Sequence, residues 1–385
     1  MDDRMAEMLP RVQTYLANRD WRDVPAMAGR NFRVEPLAQG EYNLNYLLID
    51  PPARLVFRVN LGSQIEREDQ ILYEYRALEL LKESGATPVP HFVDDRGHVE
   101  ISGRVVNGKS LPDAGRGVSR VPSGKIPPAP PLENGGDGRE LDRGILIMEY
   151  LPGGPLDYRR EREEAARLFA RIHRIQVPEQ RNHLIREEAP LSIIFEECER
   201  LLPVYFESEL ADPNIRAYLR DVRAWMDEAR GGETYFQADP WPCVVNTEVN
   251  SGNFIVHRSA GTVHLVDWEM PRYGDPTADL CHFCSPLTTM WKTDYRMSED
   301  ERRDFLRVYA DAVGDAHLRD TLGERFALRN PFVLLRGISW SAMGWVAYQT
   351  DFQGVRNPDT WETLKRYMDY RFIRSIFDPI LARSP

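Results

Sequence analysis

Cysteine is scarce: the chain of 385 residues has four, Cys198, Cys243, Cys281 and Cys284. That density excludes a disulfide framework and suits a reducing compartment. Cys281 and Cys284 form a lone C-x-x-C around His282, but no second pair offers the remaining ligands of a structural zinc, so ordinary apolar packing is expected there. A basic surface is lacking too. Lys and Arg number 49 against 60 Asp and Glu, a formal charge of −11, and no segment concentrates positive charge, which argues against a nucleic-acid partner. No uninterrupted apolar run is long enough to cross a bilayer, so a membrane partner is not expected either. The opening MDDRMAEMLPRVQTYL has neither the basic start nor the apolar core of a secretion signal, and reads as an amphipathic helix of a cytoplasmic protein. There is no internal repeat and no heptad run.

What remains is an ordinary globular composition in a chain long enough for two lobes. In the first, FRVEPLAQGEYNLNYLLID and ARLVFRVN alternate apolar with other residues about a turn at Gly40, as a pair of antiparallel strands does. EREDQILYEYRALELLKESG has helical spacing and stops at Gly85, and PVPHFVDDRGHVEISGRVV returns to extended structure. From about 107 to 140 glycine and proline accumulate without periodicity, which predicts a long inserted loop, with Lys109, Arg116, Arg120 and Lys125 on it. RGILIMEYLPGGPL is an apolar strand ending in a Pro-Gly-Gly break, and it divides the chain into lobes at 1–150 and 151–385. Helices are expected in the second lobe over EREEAARLFARIHRI, 193–202, 215–228, 299–313 and 329–348. Among them CVVNTEVNSGNFIVHRSAGTVHLVDWE reads as a strand, a polar loop, a strand, a glycine turn and a strand, a hairpin alone in a helical lobe. The fold class is therefore α+β, a small antiparallel sheet lobe beside a larger, mainly helical one.

The polar loop VVNTEVNSGNFIV places Asn246, Glu248, Asn250 and Asn253 within a few residues. Asn253 opens one strand and Asp267 closes the next, so an amide oxygen and a carboxylate can meet at one point. Hard oxygen ligands of that kind suit Mg²⁺, which keeps waters and phosphate oxygens for its other positions. Glu248 would stand beside such a metal, where a base belongs. Read alone, Asn250, Gly252 and Asn253 are equally the residues of a simple turn. The amino-terminal half offers complementary parts: Gly40 for close backbone approach to phosphates with Asn43 and Asn45 beside it, Arg58 as a cation on a strand, and Glu74 on the next helix to hold that cation.

These residues in this order resemble the aminoglycoside phosphotransferase and choline kinase group of protein-kinase-like enzymes, from about Phe32 to Phe283. The likeness is strongest at IMEYLPGGPL, VNSGNFIV and LVDWEMPRYGDPTADL. It implies a two-lobed kinase-like fold and ATP and Mg²⁺ as cofactors. In its terms Asn253 and Asp267 are the metal ligands, Arg58 is the phosphate-binding cation, and Glu74 is its helix partner. The backbone of Glu149 and Leu151, with Met148 behind, becomes the adenine hinge, and Asp279 a structural support of the loop.

The group usually has His-Gly-Asp where this chain has Asn246-Thr247-Glu248. Misplacing a catalytic group by about 1 Å can lower a rate roughly 10²-fold, yet phosphoryl transfer depends chiefly on positioning and charge neutralisation, and those parts are in place. The expected activity is a small-molecule kinase acting on a hydroxyl, with Glu248, Asn253 and Asp267 as its catalytic residues. The acceptor classes left open are aminoglycosides, choline-like alcohols, sugars and amino alcohols. A nucleotide-binding pseudokinase that regulates or scaffolds is the alternative, and transfer of another part of the nucleotide, such as AMP, is a third. Trp340, Trp345, Tyr348 and Asp351, or Trp291 and Asp294, are candidate walls for an amine-bearing acceptor, although Trp340, Met343 and Ala347 also fall at core spacing.

Overall fold

A computed structural model describes residues 3–40, 42–63, 65, 67–96, 98–101, 104–107, 141–291, 293–350 and 358–382. Of the loop expected at about 107–140, residue 107 ends a strand, and 108–140, with the loop's basic residues, lie outside the described residues, as does Asp351. The chain begins with α1 (Asp3–Asn18), followed by β1 (Arg33–Gln39), β2 (Asn43–Asp50), β3 (Ala53–Asn60), α2 (Gln70–Leu81), β4 (Pro90–Asp95), β5 (His98–Ile101), β6 (Arg104–Asn107) and β7 (Ile145–Glu149). The strands form one antiparallel sheet in the order β1-β2-β3-β7-β4-β5-β6. The stretch read as two strands is thus three, because Asp50 and Ala53 close a second tight turn.

Side-chain alternation decides what each face of this sheet does. Leu44, Tyr46 and Leu48 of β2, Leu55, Phe57 and Val59 of β3, and Ile145 and Ile147 of β7 share one buried cluster with Met5, Met8, Val12 and Tyr15 of α1. The amphipathic opening helix therefore covers the outer face of the sheet. The alternate residues Val56, Leu146 and Met148 join the other cluster, with α2 and the helical lobe. Period two then carries Asn43, Asn45 and Arg58 to this inner face, and Asn45 stands directly opposite Arg58 in register. α2 runs into one turn of tighter helix and stops at Gly85, whose φ of 60° is the left-handed conformation that glycine takes without steric cost.

The second lobe contains α3 (Tyr158–His173), β8 (Ile185–Arg186), α4 (Pro190–Phe206), α5 (Pro213–Ala229), α6 (Glu233–Ala238), β9 (Cys243–Val245), β10 (Phe254–His257), β11 (Thr262–Leu265), β12 (Arg272–Gly274), α7 (Thr277–Cys284), α8 (Pro286–Thr289), α9 (Glu299–Val313), α10 (Ala316–Gln349), α11 (Pro358–Tyr367) and α12 (Tyr370–Leu381). The hairpin is β10 with β11. It is not alone, because β9 leaves it to pair with β12, which also pairs with β8. α9 has the expected bounds, fixed by a capping box of Ser298 with Glu301 and by Gly314 in the left-handed region.

α10 begins 13 residues earlier than its periodicity predicts, at Ala316, where Asp315 caps it. Arg325 and Arg329 hide this part of the helix in the sequence, since both are buried rather than solvent-facing. Arg325 is paired with Asp275 at 2.6 Å and Arg329 with Glu187 at 2.8 Å.

Between the lobes, Gly153 and Gly154 are pinned to β10. Gly154 exchanges both backbone hydrogen bonds with Val256, at 3.1 and 2.8 Å. Gly153 has a φ of 152°, and a Cβ there would come within 2.6 Å of the Val256 carbonyl oxygen.

Candidate active site

The geometry starts from Arg58. Its buried guanidinium donates from Nη1 to Glu74 Oε1 at 2.5 Å and to Asp267 Oδ1 at 3.3 Å, and from Nε to Asn45 Oδ1 at 3.0 Å. Glu269 Oε1 stands 3.9 Å from the same Nη1. The helix partner expected for Arg58 is therefore in place, and Asp267 reaches the same cation from the other lobe.

Glu269 was not among the residues singled out in the sequence. The signal was its place two residues after Asp267 in HLVDWE, which puts a second carboxylate at the end of the same strand segment. Asn43, expected near phosphates, is buried, and its amide donates to Glu269 and accepts from Asn60 at 3.1 Å. Its contact is with the carboxylate cluster rather than with open space.

Negative charge is in excess here. Burial, then the Asp267 charge, pushes the Glu269 carboxyl well above its ordinary range, with Glu74 and Glu248 adding to the rise and Arg58 opposing it. Burial likewise raises Glu74, against the pull of Arg58 and a backbone hydrogen bond from Trp268. One guanidinium thus faces the fields of three carboxylates, Glu74, Asp267 and Glu269. A divalent cation held by oxygen ligands would relieve that imbalance.

Asn253 and Asp267 do lie on adjoining segments, because the Val266 N–H donates to the Asn253 carbonyl at 2.8 Å. Asn253 Nδ2 donates to the Glu248 carbonyl at 2.7 Å, which ties the amide to the loop through its nitrogen. Asp267 has a φ of 66°, uncommon for a residue with a side chain. Among the described residues no group of three or more His, Cys, Asp or Glu side chains is arranged to hold a metal ion. The donor set on offer is therefore an amide oxygen with one or two carboxylates, which fits Mg²⁺ completed by water and phosphate oxygens.

The loop preceding Asn253 is held by neutral groups and one buried acid. Asp279, on α7, accepts from the Asn246 N–H at 2.9 Å and the Thr247 N–H at 2.7 Å. Behind it His173 Nε2 lies 3.2 Å from Asp279 Oδ2, and His173 Nδ1 lies 2.9 Å from the Tyr309 hydroxyl. The Asn246 side chain donates to the Asp267 carbonyl at 2.9 Å and accepts from the Glu248 N–H at 3.0 Å. One amide thus ties the base loop to the Asp267 segment.

Thr247 has a φ of 72°, a left-handed conformation that is an outlier for a β-branched residue. Its hydroxyl donates to the Met270 carbonyl at 3.0 Å. The next N–H in the loop, that of Val249, points at His282 Nδ1 at 3.3 Å, and burial lowers the His282 pKa to about 4, which keeps it neutral. Asn250 accepts from the Gly252 N–H at 2.9 Å and serves the turn alone. Cys281 and Cys284 are buried on α7, and burial raises both thiols.

The remaining candidates separate by position. Gly40 lies at the β1–β2 turn, its N–H donating to the Asn43 carbonyl at 2.9 Å. At the lobe boundary Met148 is buried, and the Glu149 N–H is committed to the Val89 carbonyl at 2.8 Å; Leu151 follows, half-buried. Trp340 and Trp291 meet edge to face at 5.9 Å, while Trp345 and Tyr348 pack on Trp361. Asp294 is exposed and bridged to Arg159.

An antiparallel sheet above a helical lobe, with an amide and carboxylates gathered around one strand cation between them, is the arrangement of kinase-like phosphotransferases. The profile of the phosphotransferase enzyme family matches residues 33–324, most of the chain, and the chain belongs to that family. It is a small-molecule kinase by that membership. Solved structures agree in fold. A spectinomycin phosphotransferase in complex with ADP and spectinomycin aligns with a TM-score of 0.52 at 12% identity, covering 90% of this chain and 91% of that one. A choline kinase from Cryptosporidium parvum aligns with a TM-score of 0.54 at 12% identity, covering 99% and 97%. An ethanolamine kinase from Plasmodium vivax aligns with a TM-score of 0.52 at 12% identity, covering 88% and 81%. No curated protein matches the chain in sequence. No helix among the described residues is long and apolar enough to cross a membrane.

Proposed function

We propose that the chain transfers the terminal phosphoryl group of ATP to a hydroxyl of a small molecule, with Mg²⁺ required. The observation that carries this reading is the convergence of Glu74, Asp267 and Glu269 on Arg58, with the Glu248–Asn253 loop tied to the same Asp267 segment through Asn246. The ADP-bound spectinomycin phosphotransferase supports a nucleotide at the corresponding cleft. Glu248, Asn253 and Asp267 are the catalytic residues in this reading. Gly40, Asn43, Arg58, Glu74, Met148, Glu149 and Leu151 form the nucleotide side, where Asn43 acts by orienting Glu269. Because the Glu149 N–H is already engaged, adenine is read by the Glu149 carbonyl and the Leu151 N–H, over Met148.

Asn253 Oδ1 and Asp267 would hold the Mg²⁺, and Glu269 would add negative charge near it. When bound, the ion neutralises charge on the phosphate oxygens. Arg58 neutralises further phosphate charge and is kept in place by Glu74. Glu248 orients the acceptor hydroxyl and takes its proton. The acceptor oxygen forms the new P–O bond as the bond to the β-phosphate oxygen breaks, and ADP leaves with the electron pair. We also place the enzyme in the cytoplasm, consistent with four free, buried thiols.

Asp267→Ala tests the nucleotide half. It is expected to weaken Mg·ATP binding by about 10-fold or more, from the loss of a charged ligand, measured as lost thermal stabilisation. Unchanged stabilisation would overturn the metal assignment. A nucleotide-binding pseudokinase is the second reading, favoured by the Asn246-Thr247 replacement. Stabilisation by Mg·ATP, with no phosphate transfer to a panel of alcohols, hydroxy acids and aminoalcohols, would select it.

A further inference from the structure

Four consecutive backbone N–H groups of the base loop end on side-chain acceptors. Those of Asn246 and Thr247 go to Asp279 at 2.9 and 2.7 Å, that of Glu248 to Asn246 Oδ1 at 3.0 Å, and that of Val249 to His282 Nδ1 at 3.3 Å. Asp279 and His282 lie three residues apart on α7, and so on one face of it. That face is itself fixed. Asp279 is wholly buried, His173 of α3 reaches it at 3.2 Å, and Tyr309 of α9 stands behind at 2.9 Å. The Val249 side chain is buried too, in the core shared with α2 and the helical lobe.

The last of the four contacts bears on Glu248 directly. Peptide units are planar, so a residue has only two soft backbone torsions, one on each side of its Cα. Holding the Glu248 N–H restrains the plane before that Cα, and holding the Val249 N–H restrains the plane after it. Together they set where Cβ points. This matters more for glutamate than for the usual aspartate, because the longer side chain adds a torsion between backbone and carboxylate. The preceding residue, Thr247, sits at a φ of 72°, a path that a β-branched residue does not take unrestrained. Since His282 Nδ1 accepts, the proton of the neutral ring lies on Nε2. Cys281 and Cys284 beside it are buried, whereas His282 is half-buried and faces the loop.

We infer that His282 is a positioning residue for the reaction: by accepting the Val249 N–H it fixes the second peptide plane beside Glu248, and so aims the Glu248 carboxylate at the acceptor hydroxyl. The inference rests on the kinase reading above and names what holds its base. His282 touches neither substrate nor metal in this scheme. Its effect is exerted through the backbone of Glu248 alone.

The test reads backbone and chemistry separately. His282→Phe keeps a ring and removes the acceptor, whereas His282→Asn keeps an acceptor at the same number of bonds from Cα. Amide hydrogen exchange at Val249 should quicken about fivefold or more in the phenylalanine variant, as for one lost hydrogen bond, and return toward the parent rate in the asparagine variant. Turnover of Mg·ATP is measured with the fastest alcohol or aminoalcohol of the panel, or with water when none reacts. In His282→Phe kcat should fall about 10- to 100-fold, the range of a base misplaced by roughly 1 Å, and His282→Asn should recover most of that loss. KM for Mg·ATP and for the acceptor should change by less than about threefold, since only alignment in the transition state is lost. In a Glu248→Gln background His282→Phe should lower turnover by less than about twofold, because the group it aims is gone. A merely structural weakening would add in full. An unaltered near-ultraviolet circular dichroism spectrum certifies the fold of each variant, and His282→Leu serves if the phenylalanine variant fails to fold. Val249 exchange indifferent to His282, kcat unchanged despite faster exchange, full additivity with Glu248→Gln, or no recovery in His282→Asn would each overturn the inference. The expected exchange pattern, with no turnover of Mg·ATP in the parent, would uphold the hold on Glu248 and sink the kinase reading. Intact turnover in His282→Phe would do the reverse.

Discussion

Two halves of the site are built on different physics. Around Arg58 the groups are ionic and wholly or partly buried: Glu74 at 2.5 Å, Asp267 at 3.3 Å and Glu269 at 3.9 Å. The Asn246–Asn253 loop is held instead by hydrogen bonds from backbone N–H groups to Asp279, Asn246 and His282. A buried charge that loses its partner costs several kcal/mol, so residue types in the first half are tightly constrained. A hydrogen-bonded loop needs only matched donors and acceptors, each worth about 1 kcal/mol. That difference accounts for which half keeps the usual residues and which carries Asn-Thr-Glu.

Substitutions in the two halves should therefore fail in opposite ways. The largest effect expected is on turnover: Glu248→Gln should lower kcat by about 10²- to 10⁴-fold, the usual contribution of general base catalysis, with Mg·ATP stabilisation and melting temperature nearly unchanged. Full turnover in that variant would remove the base. Arg58→Met should do the reverse, destabilising the fold by about 3–5 kcal/mol, since it leaves buried carboxylates without their cation. Denaturant unfolding measures it, and a loss below about 1 kcal/mol would break the contrast.

Glu269→Gln sharpens the ionic half through pH. The folded carboxyl titrates above its ordinary value of 4.5, so the folded protein holds this proton more tightly than the unfolded chain. The stability it contributes is full below the ordinary value and is lost as pH rises through the raised one. The glutamine variant keeps an acceptor for Asn43 and does not titrate. Its melting temperature relative to the parent should therefore rise between pH 5 and pH 8, by about 1–3 °C. A difference independent of pH would refute the charge crowding.

The smallest effects belong to the loop. Thr247→Ala keeps the left-handed backbone and loses the bond to Met270, for about 1 kcal/mol of destabilisation. Thr247→Gly also loses that bond but relieves strain of about 1–2 kcal/mol, so it should be close to neutral in unfolding assays. Equal losses in the two variants would mean that the backbone there is not strained.

The fold was legible where periodicity was undisturbed, as in α1, α2, α3 and α9, and in the strands whose alternation places Arg58 on the inner face. It was less so where tertiary partners override pattern. The first half of α10 looks solvent-facing in sequence because Arg325 and Arg329 are charged, and only the acids of distant segments make their burial intelligible. β9 reads as part of a hairpin until β12 takes it.

In the site, residue type and order point to Arg58, Glu74 and Asp267, and the family resemblance to Asp279; Glu74 and Asp267 touch Arg58, and Asp279 accepts from the Asn246 and Thr247 N–H groups. Glu269 was passed over because one carboxylate already filled the expected place. Asn43 is expected near phosphates because sequence alone does not say whether a polar side chain finds a partner within the protein.

The glycine pair that follows the lobe boundary limits how this enzyme breathes. Since Gly154 is bonded to the strand leaving the metal loop and Gly153 lies tight against it, rocking of the nucleotide sheet over the acceptor side should be absorbed between Tyr150 and Pro152. Proline fixes one torsion in that span. The pivot is therefore short and stiff, and opening for product release should be a small rigid tilt about one peptide rather than a swing on a flexible tether.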